Sequence, residues 1–156
     1  MRTELNVSGP ITIDSIAYYY NGGSSFSDAV RVYMGNTTKT SFQYTTDWAP
    51  VTSMTQVYNG NYSVGPSARW YKIRLTTPFT YNNVNNLVIA FDENTGTYHL
   101  ETDVFRCSSK SAIRSMYFYG DNTNPNPSSP PTSANGTTDF IGGNSYCPNI
   151  VIYFRY

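Results

Sequence analysis

Apolar and polar residues alternate in short segments along this chain, and turn residues close each segment. The alternation is sharpest at Trp70–Leu75, and one face of this segment is expected to be buried: Tyr71, Ile73 and Leu75. The opposite face is expected to point outward: Trp70, Lys72 and Arg74. This two-residue period is that of a half-buried β-strand, so the segment predicts a strand on the surface of a sheet.

Similar segments recur through the rest of the chain. They are Ile11–Ile13, Ile16–Tyr20, Ala29–Met34, Thr55–Tyr58, Asn61–Val64, Ser115–Tyr119 and Ile150–Phe154. The dipeptide Asn59-Gly60 predicts a two-residue hairpin turn, and the continuously apolar Leu87–Phe91 predicts a central strand buried on both faces. No segment has helix caps with a 3.6-residue stripe. The pattern predicts one all-β domain over residues 1–156, a jelly-roll-like antiparallel β-sandwich of eight or nine strands.

Composition adds to the β prediction and narrows the partners. Charged residues make up only 13% of the chain, and ten basic residues balance ten acidic ones, so no overall field favours nucleic acid. No apolar run is long enough to predict membrane insertion. A low-charge surface rich in Asn, Ser, Thr and Tyr is typical of extracellular proteins, so we expect a secreted or cell-surface module of a larger multidomain protein.

Two cysteines, Cys107 and Cys147, lie far apart and outside any CxxC or Cys/His pattern. This spacing argues against a zinc site. In an extracellular setting they are expected to form a disulfide, with two buried thiols as the alternative.

The chain has few residues in arrangements suited to catalysis. His99 is the only histidine, it lies beside a turn where a surface position is expected, and no nucleophile motif accompanies it. Asp92-Glu93 is the one adjacent carboxylate pair, and neighbouring strand residues point to opposite faces. We therefore expect no enzymatic activity.

Two turns are rich in oxygen ligands of the kind that calcium prefers, Asp92–Thr95 and Asp121–Asn126. The candidate ligands are Asp92, Asp121 and Asn124. Asx residues are also ordinary turn formers, so either turn could be purely structural. A structural Ca²⁺ is the leading cofactor hypothesis.

Exposed aromatic residues are the best candidates for binding. An outward Trp70 beside Lys72 and Arg74 offers a flat indole on which a sugar ring could stack, although the indole could instead pack into a second layer. Trp48 lies in a predicted loop, where it could bind a ligand or plug the end of the sandwich. Tyr19 and Tyr33 are expected in half-exposed strand positions.

The chain resembles the jelly-roll modules of gingipain-type adhesins, which recur in surface and secreted proteins of Bacteroidetes. The resemblance covers residues 11–152 and includes the stretches IDSIAYYY (13–20), VRVYMGNTTKTSF (30–42), DWAP (47–50), WYKIRL (70–75), PFTY (78–81), NLVIAFDENTG (86–96) and YGDNTNP (119–125). It implies a cell-surface or secreted setting and calcium at the acidic turns. It does not include the cysteine pair.

Two functions follow as hypotheses. The first is a non-catalytic carbohydrate-binding module of a polysaccharide-degrading or glycan-capturing protein, with Trp48, Trp70, Tyr19 and Tyr33 as the candidate residues. The second is an adhesin or spacer module that contacts proteins or neighbouring domains of a larger chain. Low charge and abundant tyrosine fit both. A row of exposed aromatics in a shallow groove would favour the first.

Overall fold

The computed structural model describes residues 2–120, 123–134 and 138–156, and it is all-β, as predicted. Its strands are β1 Ile11–Tyr20, β2 Phe26–Thr37, β3 Thr55–Val64, β4 Arg69–Tyr81, β5 Asn86–Glu93, β6 Cys107–Ser109, β7 Ser115–Gly120, β8 Asp139–Asn144, β9 Tyr146–Pro148 and β10 Ile150–Arg155. A four-residue helix, α1 Arg2–Leu5, and a 3₁₀ turn, Val51–Ser53, complete the described elements. Three of these ten strands were not predicted. β6 and β9 have only three residues each, and β8, with the sequence DFIGGN, lacks an apolar alternation.

Two three-stranded antiparallel sheets form the sandwich. Sheet I has the order β10-β1-β4 and sheet II the order β3-β2-β5. Their inner faces share one apolar core, which includes Ile13, Ile16 and Ile73 from sheet I and Val32 and Met34 from sheet II. The strand β10, predicted from the segment Ile150–Phe154, pairs with β1.

The residues between β5 and β10 form an excursion that carries two small sheets, β6-β9 and β7-β8. Backbone hydrogen bonds hold this excursion to the end of β1: Asn21 N donates to Val104 O at 2.9 Å, and Arg106 N donates to Tyr19 O at 2.9 Å. Residues 123–134 of the excursion contain no strand. No helix in the described part of the chain is long and apolar enough to cross a membrane.

Two strand predictions are wrong. Asn59-Gly60 does not form a turn, because it lies inside the continuous strand β3 and pairs with Arg31 and Val30 of the long strand β2. Neither residue has the positive φ that a primed turn requires. The segment Leu87–Phe91 is not a central strand, because β5 is the edge of sheet II and pairs only with β2 among the described strands.

The pairing of β1 with β4 contains a large irregularity. Ile13 pairs with Phe79 and Ser15 with Arg74, so four β4 residues, 75–78, oppose the single residue Asp14. Extra residues of this kind bend a strand and increase its twist locally, and they often lie beside binding sites. The irregularity shapes the surface of sheet I described next.

Candidate functional site

The outer face of sheet I brings together several of the residues singled out from the sequence. Trp70, Lys72 and Arg74 are exposed on β4, whereas Tyr71, Ile73 and Leu75 are buried, so the predicted orientation of this strand is confirmed. Tyr19 pairs with Trp70 across the β1–β4 ladder. The alternative that Trp70 packs into a second layer does not hold, because 42% of the residue is exposed.

The indole of Trp70 is held by an edge-to-face contact with Tyr19. Their ring centroids lie 5.3 Å apart with an interplanar angle of 84°. The guanidinium of Arg106 lies 4.4 Å from the centroid of the Tyr19 ring, and Arg106 Nε donates to Asn21 Oδ1 at 3.1 Å. Because edge-to-face and cation–π contacts both fix ring orientation, Trp70 has a supported position on an exposed surface.

Small residues lie at the centre of this face and larger ones lie on both sides. Ser15 and Ala17 of the central strand β1 occupy outward positions, yet they are 8% and 0% exposed. Lys72 and Arg74 flank them on β4, and Val151 and Tyr153 flank them on β10. The Lys72 ammonium lies 3.6 Å from the centroid of the Tyr153 ring, so it bridges the two flanking strands over Ala17.

A depression opens beside this bridge, at the irregular β1–β4 pairing. The described residues that line it are Asp14, Ser15, Lys72, Arg74, Leu75, Thr76, Pro78 and Arg155. They supply hydroxyl, carboxylate and cationic groups around a concave surface. Trp70 lies four residues before Arg74 on β4, which is roughly 13 Å at a strand rise of about 3.3 Å per residue. The outer face of sheet I therefore combines one supported, exposed indole with a polar depression.

The other two predicted aromatic residues lie elsewhere. Trp48 is half-buried, and its Nε1–H donates to Pro131 O at 2.9 Å, which ties two loops together. Tyr33 lies on the outer face of sheet II, where it is half-buried. The four predicted residues thus do not form one site, because only Trp70 and Tyr19 are adjacent.

Trp48 also lines a largely apolar cleft of about 550 Å³ beside the core, together with Tyr18, Ile89, Phe91 and Phe105. Ile89 and Phe91 are core-facing residues of the edge strand β5, and Phe91 is 42% exposed. Because β5 is an edge strand, its inward side chains are only partly covered. This is the reason that a continuously apolar segment is less buried than its sequence suggests.

His99 is not simply a surface residue of a turn. Its Nε2 lies 2.9 Å from Asp28 Oδ2 at the edge of this cleft, and its ring centroid lies 4.4 Å from that of Phe26. Asp28 is 6% exposed, and burial raises the pKa of its carboxyl, an effect that His99 partly opposes. This pairing could not be predicted from the sequence, because the two residues are 71 positions apart.

The two oxygen-rich turns are brought together only in part. Asn94 Nδ2 donates to Asp92 Oδ2 at 3.0 Å, and Asn124 Nδ2 donates to Asn94 Oδ1 at 3.1 Å. Asp92 also pairs with Arg31 at 3.6 Å. The carboxylate of Asp92 therefore already faces two donors, and no cluster of three or more His, Cys, Asp or Glu side chains suited to a metal occurs among the described residues. Asp121 lies outside the described residues.

The expected disulfide is not formed, and both cysteines are free thiols. Cys107 pairs with Pro148, and Cys147 pairs with Ser108, across the β6–β9 ladder. Directly paired residues share a face and adjacent residues alternate, so the two thiols point to opposite faces of this ladder. A disulfide would require a one-residue change of register.

Sequence reasoning missed an aromatic row on the small sheet β7-β8. Tyr117 and Tyr119 have centroids 6.1 Å apart with planes at 18°, and Tyr119 and Phe140 have centroids 4.8 Å apart with planes at 22°. All three are at least 40% exposed. The i, i+2 spacing of the two tyrosines in a predicted strand was a usable signal. Phe140 could not be added without the register.

No family model, curated protein or solved structure matches this chain. The resemblance to gingipain-type adhesin modules therefore stays a prediction.

Proposed function

We propose that this chain is a non-catalytic carbohydrate-binding module that acts in a secreted or cell-surface protein. The observation that carries the proposal is the exposed Trp70 indole, which contacts the Tyr19 ring at a centroid distance of 5.3 Å and shares the outer face of sheet I with a polar depression. A sugar ring has an apolar C–H face and a polar rim. An indole supplies the surface for the first, and hydroxyl and charged side chains supply partners for the second.

The location of these groups on a sheet supports the proposal further. Residues on paired strands are held in register by backbone hydrogen bonds, so Trp70 and the depression keep a fixed separation. Fixed aromatic groups bind at low entropic cost, because few rotamers are lost on binding. The face is also long enough to contact several sugar units of a polymer. Several contacts made at once compensate for the weak binding expected at each sugar unit.

Affinity electrophoresis in gels containing xylan, glucans, mannans or mucin tests the proposal. At least one polysaccharide should retard the wild-type chain, and Trp70→Ala should reduce that retardation at least ten-fold in apparent affinity. Tyr33→Ala removes an aromatic ring from the opposite face and should bind as the wild type does. Absence of retardation in every gel, or equal losses in the two variants, would reject this site. Release of reducing ends from the same polymers should remain at background.

The aromatic row Tyr117, Tyr119 and Phe140 lines neither of the two cavities described above, so it lacks the groove expected of a sugar site. It favours a second candidate function, an adhesin or spacer module. Tyr119 and Phe140 cover part of each other's faces at a centroid distance of 4.8 Å, so the row exposes ring edges and an apolar strip more than open faces. Such strips are common at protein interfaces. Retention of the chain on immobilised extracellular proteins that Tyr119→Ser reduces and Trp70→Ala does not would favour this function.

A structural calcium ion at the Asp92 turn also stays a proposal. Asp92, Asn94 and Asn124 are joined by hydrogen bonds. To bind a calcium ion, the Asp92 carboxylate and Asn94 Oδ1 would have to turn away from the amide and guanidinium donors that they now face.

A further inference from the structure

We propose that the outer face of sheet I binds acidic groups, carboxylate or sulfate, of an anionic polysaccharide at the depression lined by Lys72, Arg74 and Arg155. This inference rests on the proposed function and specifies its ligand class. It starts from the distribution of charge. The whole chain has ten basic and ten acidic residues, yet three of the described residues that line the depression are cationic and only Asp14 is acidic.

The one acid is already neutralised. Arg155 Nη1 donates to both carboxylate oxygens of Asp14. Lys72 and Arg74 make no ion pair with any acidic residue in the described part of the chain. By contrast, the cations Arg31, Lys39, Lys110 and Arg114, which lie away from this face, each have an acidic partner. Lys72 and Arg74 are therefore two uncompensated positive charges at the depression. Arg69 and Arg106 also lack an acidic partner in the described part of the chain, but they lie against the Tyr71 and Tyr19 rings and do not line the depression.

The geometry supports recognition of acidic groups along a chain. Lys72 and Arg74 are alternate residues of one strand, so their Cα atoms lie roughly 7 Å apart on the same face. The Lys72 ammonium is held against the Tyr153 ring at 3.6 Å, which limits its motion. Arg74 adjoins Ser15 in the register, and the Ser15 and Thr76 hydroxyls line the same depression. Cations and hydroxyls on the same sheet face as an exposed indole suit a polymer with both sugar rings and acidic groups.

An acidic polysaccharide fits better than a nucleic acid. Binding of a nucleic acid depends on many phosphate contacts and is accompanied by a strongly basic surface. This chain has no net charge, and the cations without an acidic partner that line the depression are only Lys72 and Arg74 among the described residues. Each exposed cation attracts an anion weakly and is screened by salt. Measurable affinity therefore needs repeated acidic groups and should fall as the salt concentration rises.

Dextran sulfate and unmodified dextran provide a matched pair of probes, since they share a backbone and differ in charge, and polygalacturonate tests carboxylate groups. We expect the wild type to be retarded by dextran sulfate or polygalacturonate at 20 mM salt, with much weaker retardation at 500 mM and by dextran. The double variant Lys72→Gln/Arg74→Gln should bind the anionic polymer at least ten-fold more weakly. The control Arg31→Gln/Lys110→Gln removes the same charge elsewhere and should bind as the wild type does.

The outcomes separate this inference from the proposed function. Binding to neutral polymers alone, or to anionic polymers with equal losses in both double variants, would overturn the inference and leave a neutral-glycan module. Equal retardation by single-stranded DNA, lost in the same Lys72 and Arg74 variant, would overturn the choice of polysaccharide. Binding to no polysaccharide in any gel would reject the proposed function and the inference together. Each variant is also run in a gel without polymer, so that altered mobility is not mistaken for lost binding. Its melting temperature is measured, so that unfolding is not mistaken for lost binding either.

Discussion

Gly23 lies at the point where the end of β1 meets the excursion, and its replacement by alanine should destabilise the fold. Its φ of +146° is a conformation that side-chain-bearing residues rarely adopt. A Cβ atom there would lie 2.7 Å from Tyr20 Oη and still closer to Asp103 Oδ1. The space that the side chain would occupy is therefore filled by a hydrogen-bonded pair.

This pair is a specific contact between distant parts of the chain. The Tyr20 hydroxyl donates to Asp103 Oδ1 at 2.7 Å, and Ser24 N donates to the same oxygen at 2.7 Å. Burial, with the Asp103 carboxylate as acceptor, raises the pKa of Tyr20 to about 12. The donated hydrogen bonds, that of Ser24 N–H first, lower the pKa of Asp103. A methyl group at position 23 would push these groups apart.

The backbone strain alone costs about 1–3 kcal/mol for a residue other than glycine. With displacement of the buried Tyr20 ring, we expect Gly23→Ala to lower the free energy of unfolding by about 2 kcal/mol or more. At a urea m-value of about 2 kcal/mol/M this lowers the unfolding midpoint by about 1 M. The control is Gly9→Ala, because no atom lies within 4 Å of its added Cβ and its φ is ordinary. That variant should stay within about 0.5 kcal/mol of the wild type. Equal midpoints for the two variants would refute the reasoning.

Three further predictions test the core, the cleft and the calcium hypothesis. Ile16 is 0% exposed, so Ile16→Ala should lower the free energy of unfolding by about 2–5 kcal/mol. Val84 is 67% exposed, so Val84→Ala should change it by less than about 0.5 kcal/mol. Urea unfolding measures both values, and similar losses would contradict the assigned core. Because burial raises the pKa of Asp28, the folded state loses stability as the pH rises from about 4, the carboxyl's unfolded pKa, through its higher folded pKa. Asp28→Asn lacks this loss, so its stability relative to wild type should increase as the pH rises above about 4 and through the folded pKa of Asp28, and parallel stability curves would count against the raised pKa. If calcium binds at the Asp92 turn, millimolar calcium should raise the melting temperature of the wild type but not of Asp92→Asn; an unchanged wild type would remove the calcium hypothesis.

The fold class could be predicted from the sequence because alternation is a local property. Tyr71, Ile73 and Leu75 are buried as expected, since the two-residue period of a strand requires no knowledge of its partner. The hairpin turn predicted at Asn59-Gly60 was wrong because strand pairing is not a local property. A local turn preference competes with pairing along the whole of β2, and the pairing prevails because it satisfies successive backbone groups of β3.

The candidate site could be predicted only as separate residues. Trp70 was identified from its predicted outward position. Its contact with Tyr19, however, depends on the register of β1 with β4. The contact of Lys72 with Tyr153 depends on the position of β10 on the other side of β1. Sequence separation hides such contacts. The depression depends in addition on the four residues that oppose Asp14, and an irregular pairing of this kind leaves no periodic signal.

The arrangement of side-chain sizes on sheet I connects the fold to the proposed binding. A solvated sheet face needs only polar residues, yet two outward positions of β1, Ser15 and Ala17, are small, and long or bulky side chains flank them. Because Ser15 and Ala17 are small, Lys72 can reach across β1 to the Tyr153 ring, and this cation–π contact fixes the ammonium before any ligand arrives. A side chain that is already ordered loses less conformational entropy on binding. The Lys72–Tyr153 contact, which covers Ala17, therefore also lowers the entropic cost of binding an acidic sugar. Tyr153→Leu should therefore weaken binding of the anionic polymer while leaving both cations in place, and an unchanged affinity would show that Lys72 gains nothing from its aromatic support.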